Sequence, residues 1–327
     1  MRINSIAILG ASPLCLLRAV SEASQGRMVT IYEKSATLGG AWCPRELFGV
    51  EKVDGKSHIW APLYKNKSYE EVLEGLRSKL GIRVEPLAPV AVYPTAEGEA
   101  SKVGIAAFYP ARGMSEILDR FEAILRDLKV VIRKGQTVTS IRGTSEAVIV
   151  NHSAGEDQHD VLYLPSYVRL GSVNLDGEPY AIPFEDRCSV HLNLLVDKPV
   201  GFSYLEAPKN ITFLDRLSDV SRCFHAQPGL SPAFAAVNAR VSYAGKELLA
   251  NKGGDTFVET AVEELLSGGY LDSATQILRH DFTEYTTAYR NAPAKRRLYE
   301  LESDRIKVIY TEQLMEGLLN STLPIFD

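Results

Sequence analysis

The 327-residue chain is poor in cysteine: Cys15, Cys43, Cys188 and Cys223 are scattered, with no Cys-x-x-Cys pair among them. That spacing argues against a disulfide framework and against a thiolate zinc site, so no metal is expected. No apolar run approaches the roughly 20 residues that a helix needs to cross a bilayer, so no membrane span is expected. A basic excess is also missing. The net charge of −5 speaks against a general affinity for nucleic acid or for anionic membrane, since both require a basic face. Nothing ahead of the first apolar run has the form of a cleaved leader, and a cytoplasmic location is expected. What is present is ordinary for a chain with a sizeable core: 45% hydrophobic and 24% charged residues, in a length that suits one large or two ordinary domains.

The first forty residues carry the most specific signal. Ile3–Leu9 is a short apolar run, as expected of a strand buried on both faces of a parallel sheet. Gly10, Ala11, Ser12, Pro13 and Leu14 form a turn into a helix over Leu16–Ala23. Met28–Tyr32 is a second strand, and Glu33 ends it, 23 residues after Gly10. A helix N-terminus offers free N–H groups and the positive end of a dipole to a phosphate. A carboxylate about 20 residues beyond the turn can accept hydrogen bonds from ribose hydroxyls. The usual Gly-x-Gly-x-x-Gly reads here as Gly10, Ser12 and Cys15. The Ser12 side chain narrows the approach of a pyrophosphate, although its hydroxyl can itself donate.

The continuation Glu33-Lys34-Ser35-Ala36-Thr37-Leu38-Gly39-Gly40 resembles the extended FAD signature of glutathione-reductase-like Rossmann flavoproteins. Further segments follow in order. Asp54–Trp60 resembles the Gly-x-His-x-Phe segment of UDP-galactopyranose mutases and of the related amine-oxidase and protoporphyrinogen-oxidase-like proteins. Tyr109–Met114 is similar to their Tyr-Pro element, and Val130–Ile141 to their next strand pair. Asp160–Pro165 is similar to the strand that returns to the Rossmann sheet. Phe213–Asp219 is similar to a strand of the substrate domain. The ending departs from the pattern: Thr311-Glu312 stands where these flavoproteins have Gly-Asp or Gly-Arg.

The resemblance implies an α/β fold, with a Rossmann-type FAD-binding domain from 1–60, 110–170 and 295–327. An interleaved α+β substrate domain would come from 61–109 and 171–294. It implies FAD as cofactor, with Gly10 to Leu14 at the pyrophosphate and Glu33 and Lys34 at the adenosine ribose. The backbone of Val138 would hold the adenine. Gly39, Gly40, Ala41 and Trp42 would lie along the pyrophosphate and ribityl chain, His58 would face the isoalloxazine, and Thr311 would cap the last helix.

Candidates for chemistry carry plainer alternatives. His58 can move a proton next to a flavin, or be a satisfied histidine. Trp42 can wall the flavin, or simply pack. Tyr285 and Tyr289 are four apart, so on a helix they share a face, and they would act on substrate. Trp60, Arg216 and Arg290 would bind it, an arginine gripping an anion bidentately. The bland alternative is a core tyrosine pair with solvated arginines. His152 and His159 flank an expected hairpin turn and need no metal.

The implied function is an FAD-dependent oxidoreductase that passes hydride from a small amine, amino-acid-derived or carbocyclic substrate to flavin N5. One alternative is a non-redox isomerase of the nucleotide-sugar mutase type. Another is a non-catalytic, FAD-deficient homologue acting as a subunit. Partners are then a small-molecule substrate and a homodimer mate or partner subunit.

Overall fold

The computed structural model describes residues 4–54, 81–87, 90–92, 102–103, 107–221 and 234–309. His58, Trp60 and Thr311 lie outside them. A five-stranded parallel sheet has the order Ile306–Ile309, Val161–Pro165, Ser5–Leu9, Met28–Glu33, Val131–Lys134. Its central strand is covered on both sides, as its unbroken apolar run requires. Ile6 and Ile8 pack among residues of the helices Pro13–Ser24 and Met114–Asp127. Ala7 and Leu9 pack against Ile141, Val148 and Val150 of an antiparallel meander.

Local sequence explains both helices. Ser12 caps the first by accepting the N–H of Cys15, and Pro13 follows it at the helix start, where a missing N–H costs nothing. The helix therefore begins three residues earlier than its apolar pattern indicates. In the second helix Met114, Ile117, Leu118, Phe121 and Leu125 recur on one buried face. Its N-cap, Gly113, has no side chain to offer. The buried carboxylate of Asp54 takes over, accepting the N–H of Met114 at 2.9 Å and the hydroxyl of Tyr109 at 2.5 Å.

The meander is formed by Val138–Gly143, Val148–His152 and Gly155–His159, extended by the hairpin Ser172–Leu175 and Glu178–Ala181. A seven-stranded sheet makes up most of the remainder. Its order is Ile277–Tyr289, Glu185–Val196, Ala235–Val241, Leu214–Asp219, Tyr204–Glu206, Val90–Val92, Lys102–Val103. One face buries Leu192, Leu194, Val237, Ala239 and Leu217 against Phe257, Val258, Ala261 and Leu265 of the helix Gly254–Ser267.

The segment carrying Tyr285 and Tyr289 is part of a 13-residue strand and not of a helix. Its run of threonine, phenylalanine and tyrosine suits a pleated surface, and it pairs residue by residue with Glu185–Val196. Four residues apart is also same-face spacing in a strand, so the two tyrosines stay on one side for a different reason.

Candidate functional site

The turn after the first strand is built as its glycine suggests. Gly10 has φ +88°, a conformation that costs a side-chain-bearing residue energy, and its N–H donates to the carbonyl of Tyr32. Glu33 reaches back to this turn. One carboxylate oxygen accepts the N–H of Ala11 at 2.7 Å, and the other accepts that of Ser35 at 2.7 Å. Each oxygen keeps a further lone pair for a ribose hydroxyl. Lys34 is exposed beside it.

Gly39 and Gly40 bring the next turn against the first. Both have positive φ, +112° and +53°, and the Gly39 N–H donates to the carbonyl of Ala11 at 2.8 Å. A Cβ on Gly40 would stand 3.2 Å from that of Ser12, and one on Gly39 would overlap Leu118. Val138 is drawn to the same end. The N–H groups of Gly135 and Gln136 donate to the carbonyls of Ser35 and Glu33.

From this double turn a cavity of about 560 Å³ runs to the seven-stranded sheet. Ser12, Pro13, Leu14, Gly40, Ala41 and Trp42 line one end, and the strand residues Glu284 to Ala288 line the other. Arg45, Tyr167 and Arg169 complete the wall. Tyr285 is buried, and burial pushes its phenol up to about 12 although the Arg45 cation opposes the shift. It is therefore a hydrogen-bond donor at any ordinary pH. The Arg45 guanidinium lies over the Tyr285 ring, 4.4 Å from its centroid, and donates to the carbonyl of Glu284. Arg169 pairs with Asp186 at 2.6 Å.

Three of these residues, Arg45, Tyr167 and Arg169, escaped the sequence reading. The hydroxyl of Tyr167 shares a hydrogen bond with that of Ser12 at the helix N-terminus. Cys15 just inside that helix is fully buried, and burial raises its thiol to about 11, so it is unreactive at ordinary pH. A second groove of about 680 Å³ lies around Gly143–Ser145 and Glu300–Lys307, at the amino ends of the parallel strands. It is far from both turns, and ligands of open parallel sheets bind at the carboxyl ends.

Several expected site residues are used otherwise. Arg290 is 2% exposed and donates to the carbonyls of Ser166, Leu170 and Ile182. It fastens the loop carrying Tyr167 and Arg169 and cannot also grip a substrate. Arg216 forms a two-point ion pair with Glu206 at 3.1 and 3.2 Å, in a network with Arg240 and Asp215. The ring of Tyr289 is covered by the Arg187 guanidinium, and Tyr289 is not part of the cavity wall.

His152 and His159 lie on paired strands joined at Ser153-Ala154. Both are buried, and both contact a cluster centred on Tyr32 and Asp157. Among the described residues no group of three or more histidine, cysteine or acidic side chains is placed to hold a metal.

The residues present fit a dinucleotide. Two glycine-opened turns and a carboxylate with spare lone pairs lie against a helix N-terminus whose Leu14 N–H has no intrahelical acceptor, and Ser12–Leu14 and Gly40–Trp42 carry those turns into one end of the cavity. The Ser12–Tyr167 hydroxyl pair stands at the helix N-terminus, where a phosphate would approach.

No protein-family model matches the chain, and no curated protein matches it by sequence. Solved structures match it closely in shape. A reduced UDP-galactopyranose mutase aligns over 99% of this chain and 97% of its own, with a TM-score of 0.66 and 13% identity. A protein assigned as a protoporphyrinogen oxidase, from Exiguobacterium sp. 255-15, aligns over 99% and 98%, with a TM-score of 0.63 and 9% identity. Putrescine oxidase aligns over 97% and 96%, with a TM-score of 0.61 and 11% identity. The chain therefore shares its fold with these three solved structures.

Proposed function

We propose that this protein is an FAD-dependent oxidoreductase acting on a small organic substrate. The observation that carries this is the continuous cavity from the helix N-terminus, past Gly40 and Trp42, to the wall at Tyr285. Gly10 to Leu14 and Gly39 to Trp42 would hold the pyrophosphate and ribityl chain, Glu33 the ribose, and the Val138 backbone the adenine. FAD, when bound, supplies the acceptor for a substrate hydride. The chain supplies the rest. Trp42 and Tyr285 exclude water and orient the substrate, and the protonated phenol of Tyr285 donates to a substrate oxygen. The double turn and meander, residues 1–60, 110–170 and 295–327, would form the cofactor domain. Residues 61–109 and 171–294 would form the substrate domain.

Of the residues behind the mutase-like alternative, Tyr289 and Arg290 are turned to other tasks, Tyr285 lines the cavity, and His58 lies outside the described residues. The FAD-deficient alternative keeps one observation in its favour, the hydroxyl pair at the phosphate position.

Purification with added FAD tests the proposal. A yellow protein whose flavin absorbance bleaches anaerobically with a small organic substrate is expected. A colourless protein that takes up no FAD at high micromolar concentration would favour the non-catalytic alternative.

A further inference from the structure

Part of the second face of the seven-stranded sheet is buried yet polar. His191, Asn193, Asn238 and Ser218 are each 1% exposed or less, and Thr283 and Tyr285 are buried beside them. Strand register places them on one side: Ser189 faces Tyr285, His191 faces Thr283, Asn193 faces Asn238, and Asn238 faces Ser218. Buried polar groups are costly unless each is satisfied by another. Here they form a directed ladder. Asn193 Nδ2 donates to Thr283 Oγ1 at 2.5 Å, and Asn238 Nδ2 donates to Asn193 Oδ1 at 2.7 Å. Asn238 Oδ1 is then an acceptor, and His191 Nδ1 stands 3.0 Å from it. The direction of the amides fixes the imidazole as the Nδ1–H tautomer. The ring of His191 meets that of Tyr285 edge to face at 5.1 Å, while Arg45, also a residue of the cavity wall, lies over the Tyr285 ring. Ser218 Oγ has no partner among the described residues.

We propose that the ladder Thr283–Asn193–Asn238–His191 is a positioning element that holds the Tyr285 ring, so that its hydroxyl binds a carboxylate or carbonyl oxygen of the ligand. Among the described residues the charged members of the cavity wall are Arg45, Arg169 and Glu284. Asp186 meets the charge of Arg169, and the Arg45 cation already covers the Tyr285 ring, so a ligand at the Tyr285 hydroxyl suits that cation better as an anion than as a cationic amine. This deepens the reading of the cavity as the site and makes no use of bound FAD.

The test is nuclear magnetic resonance of the full chain without FAD, with ¹⁵N-labelled histidine and ¹³C-labelled tyrosine. His191→Gln identifies the His191 signal, and benzoate and benzylamine serve as probes. The expected results are Nδ1 protonated at His191 and benzoate shifting the Tyr285 signal at concentrations at least tenfold below benzylamine. Tyr285→Phe should weaken benzoate about tenfold, the loss of one charge-assisted hydrogen bond. Thr283→Val, which removes the far end of the ladder, should move the Tyr285 signal and weaken benzoate with the melting transition kept cooperative. Asn238→Leu should also scramble the His191 tautomer. If that variant does not fold, the wild-type tautomer and Thr283→Val decide. His191 protonated on Nε2 instead would overturn the proposal, as would benzylamine binding as well as benzoate. So would Thr283→Val leaving both the Tyr285 signal and benzoate affinity unchanged. Failure to take up FAD would sink the oxidoreductase reading and leave these results standing.

Discussion

The two large sheets solve the same burial problem in opposite ways. The parallel sheet is apolar on both faces, with Ile6 and Ile8 turned to the helices and Ala7, Leu9 and Leu162 to the meander. Its polar business is carried out at the carboxyl ends of its strands, in the turns at Gly10 and Glu33. The seven-stranded sheet is apolar toward its helices, and its other face buries a hydrogen-bonded row from Thr283 to His191 beside the apolar Leu195 and Ala236. One sheet is a frame whose chemistry lies in its loops. The other brings its chemistry inside the strands.

Exchanging polarity between the sheets should break that contrast with the largest effect. Leu162→Asn would put an amide where nothing can satisfy it, at a cost of about 3–5 kcal/mol, read as a drop in the urea midpoint. Arg290→Leu follows at about 3 kcal/mol, because three carbonyls lose a charged donor. Arg290→Lys should recover only part, since an ammonium lacks the planar fork. Both variants should loosen the loop bearing Tyr167 and Arg169, seen as faster amide exchange there. Asn193→Leu should cost about 1–3 kcal/mol by leaving the Asn238 amide and the Thr283 hydroxyl unpartnered. The double variant Asn193→Leu with Asn238→Leu should cost less than the sum of the singles, as expected of groups in one network.

The smallest effect sharpens the comparison at the seam between the parallel sheet and the meander. Tyr32 donates to Asp157 at 2.6 Å, so His159 Nε2, 2.8 Å from the same phenol oxygen, must carry the proton. His159 Nδ1 is then bare, buried and without a partner among the described residues. Burial lowers the His159 pKa, which the Asp157 charge opposes. The unfolded chain therefore binds this proton more readily. Stability contributed by neutral His159 is present above the unfolded value near 6.5 and is lost as pH falls from there toward the lower folded value. Asp157 is held below its ordinary range: its own burial opposes the shift, but hydrogen bonds from Tyr32 and His152 outweigh it. Its contribution is lost only below about pH 4. His159→Gln should flatten the loss of stability between pH 6.5 and 5 and leave the loss below pH 4 in place, as chemical denaturation at a series of pH values would show.

The frame was legible in the sequence, and the second sheet largely was not. A short apolar run ending at Gly10, with an acidic residue 23 positions on and a Gly-Gly pair after it, constrains geometry because few backbones place those residue types together. The order of the later segments carried the rest of the parallel sheet, as Val161–Pro165 and Ile306–Ile309 show. The spacing of Tyr285 and Tyr289 does not reveal the strand Ile277–Tyr289, because a four-residue interval keeps one face in a helix and in a strand alike. Only its threonines and aromatics, and its long pairing with Glu185–Val196, decide between them. Arg216 and Arg290 looked available because charge alone does not reveal an internal partner. The polar ladder did leave a trace, in the alternation of Val190, His191, Leu192, Asn193 and Leu194. Alternation ordinarily signals a solvated face, and a buried polar face shows itself only when a second layer is seen to cover it.

Equilibrium dialysis of the purified chain against FAD, with Glu33→Ala beside wild type, tests the central claim most directly. The structure predicts that wild type retains one FAD per chain and that Glu33→Ala retains it at least tenfold more weakly, since the ribose hydroxyls lose their carboxylate. Wild type that retains no FAD at high micromolar concentration, or a Glu33→Ala variant that binds it equally well, would contradict the assignment of these turns as a dinucleotide site.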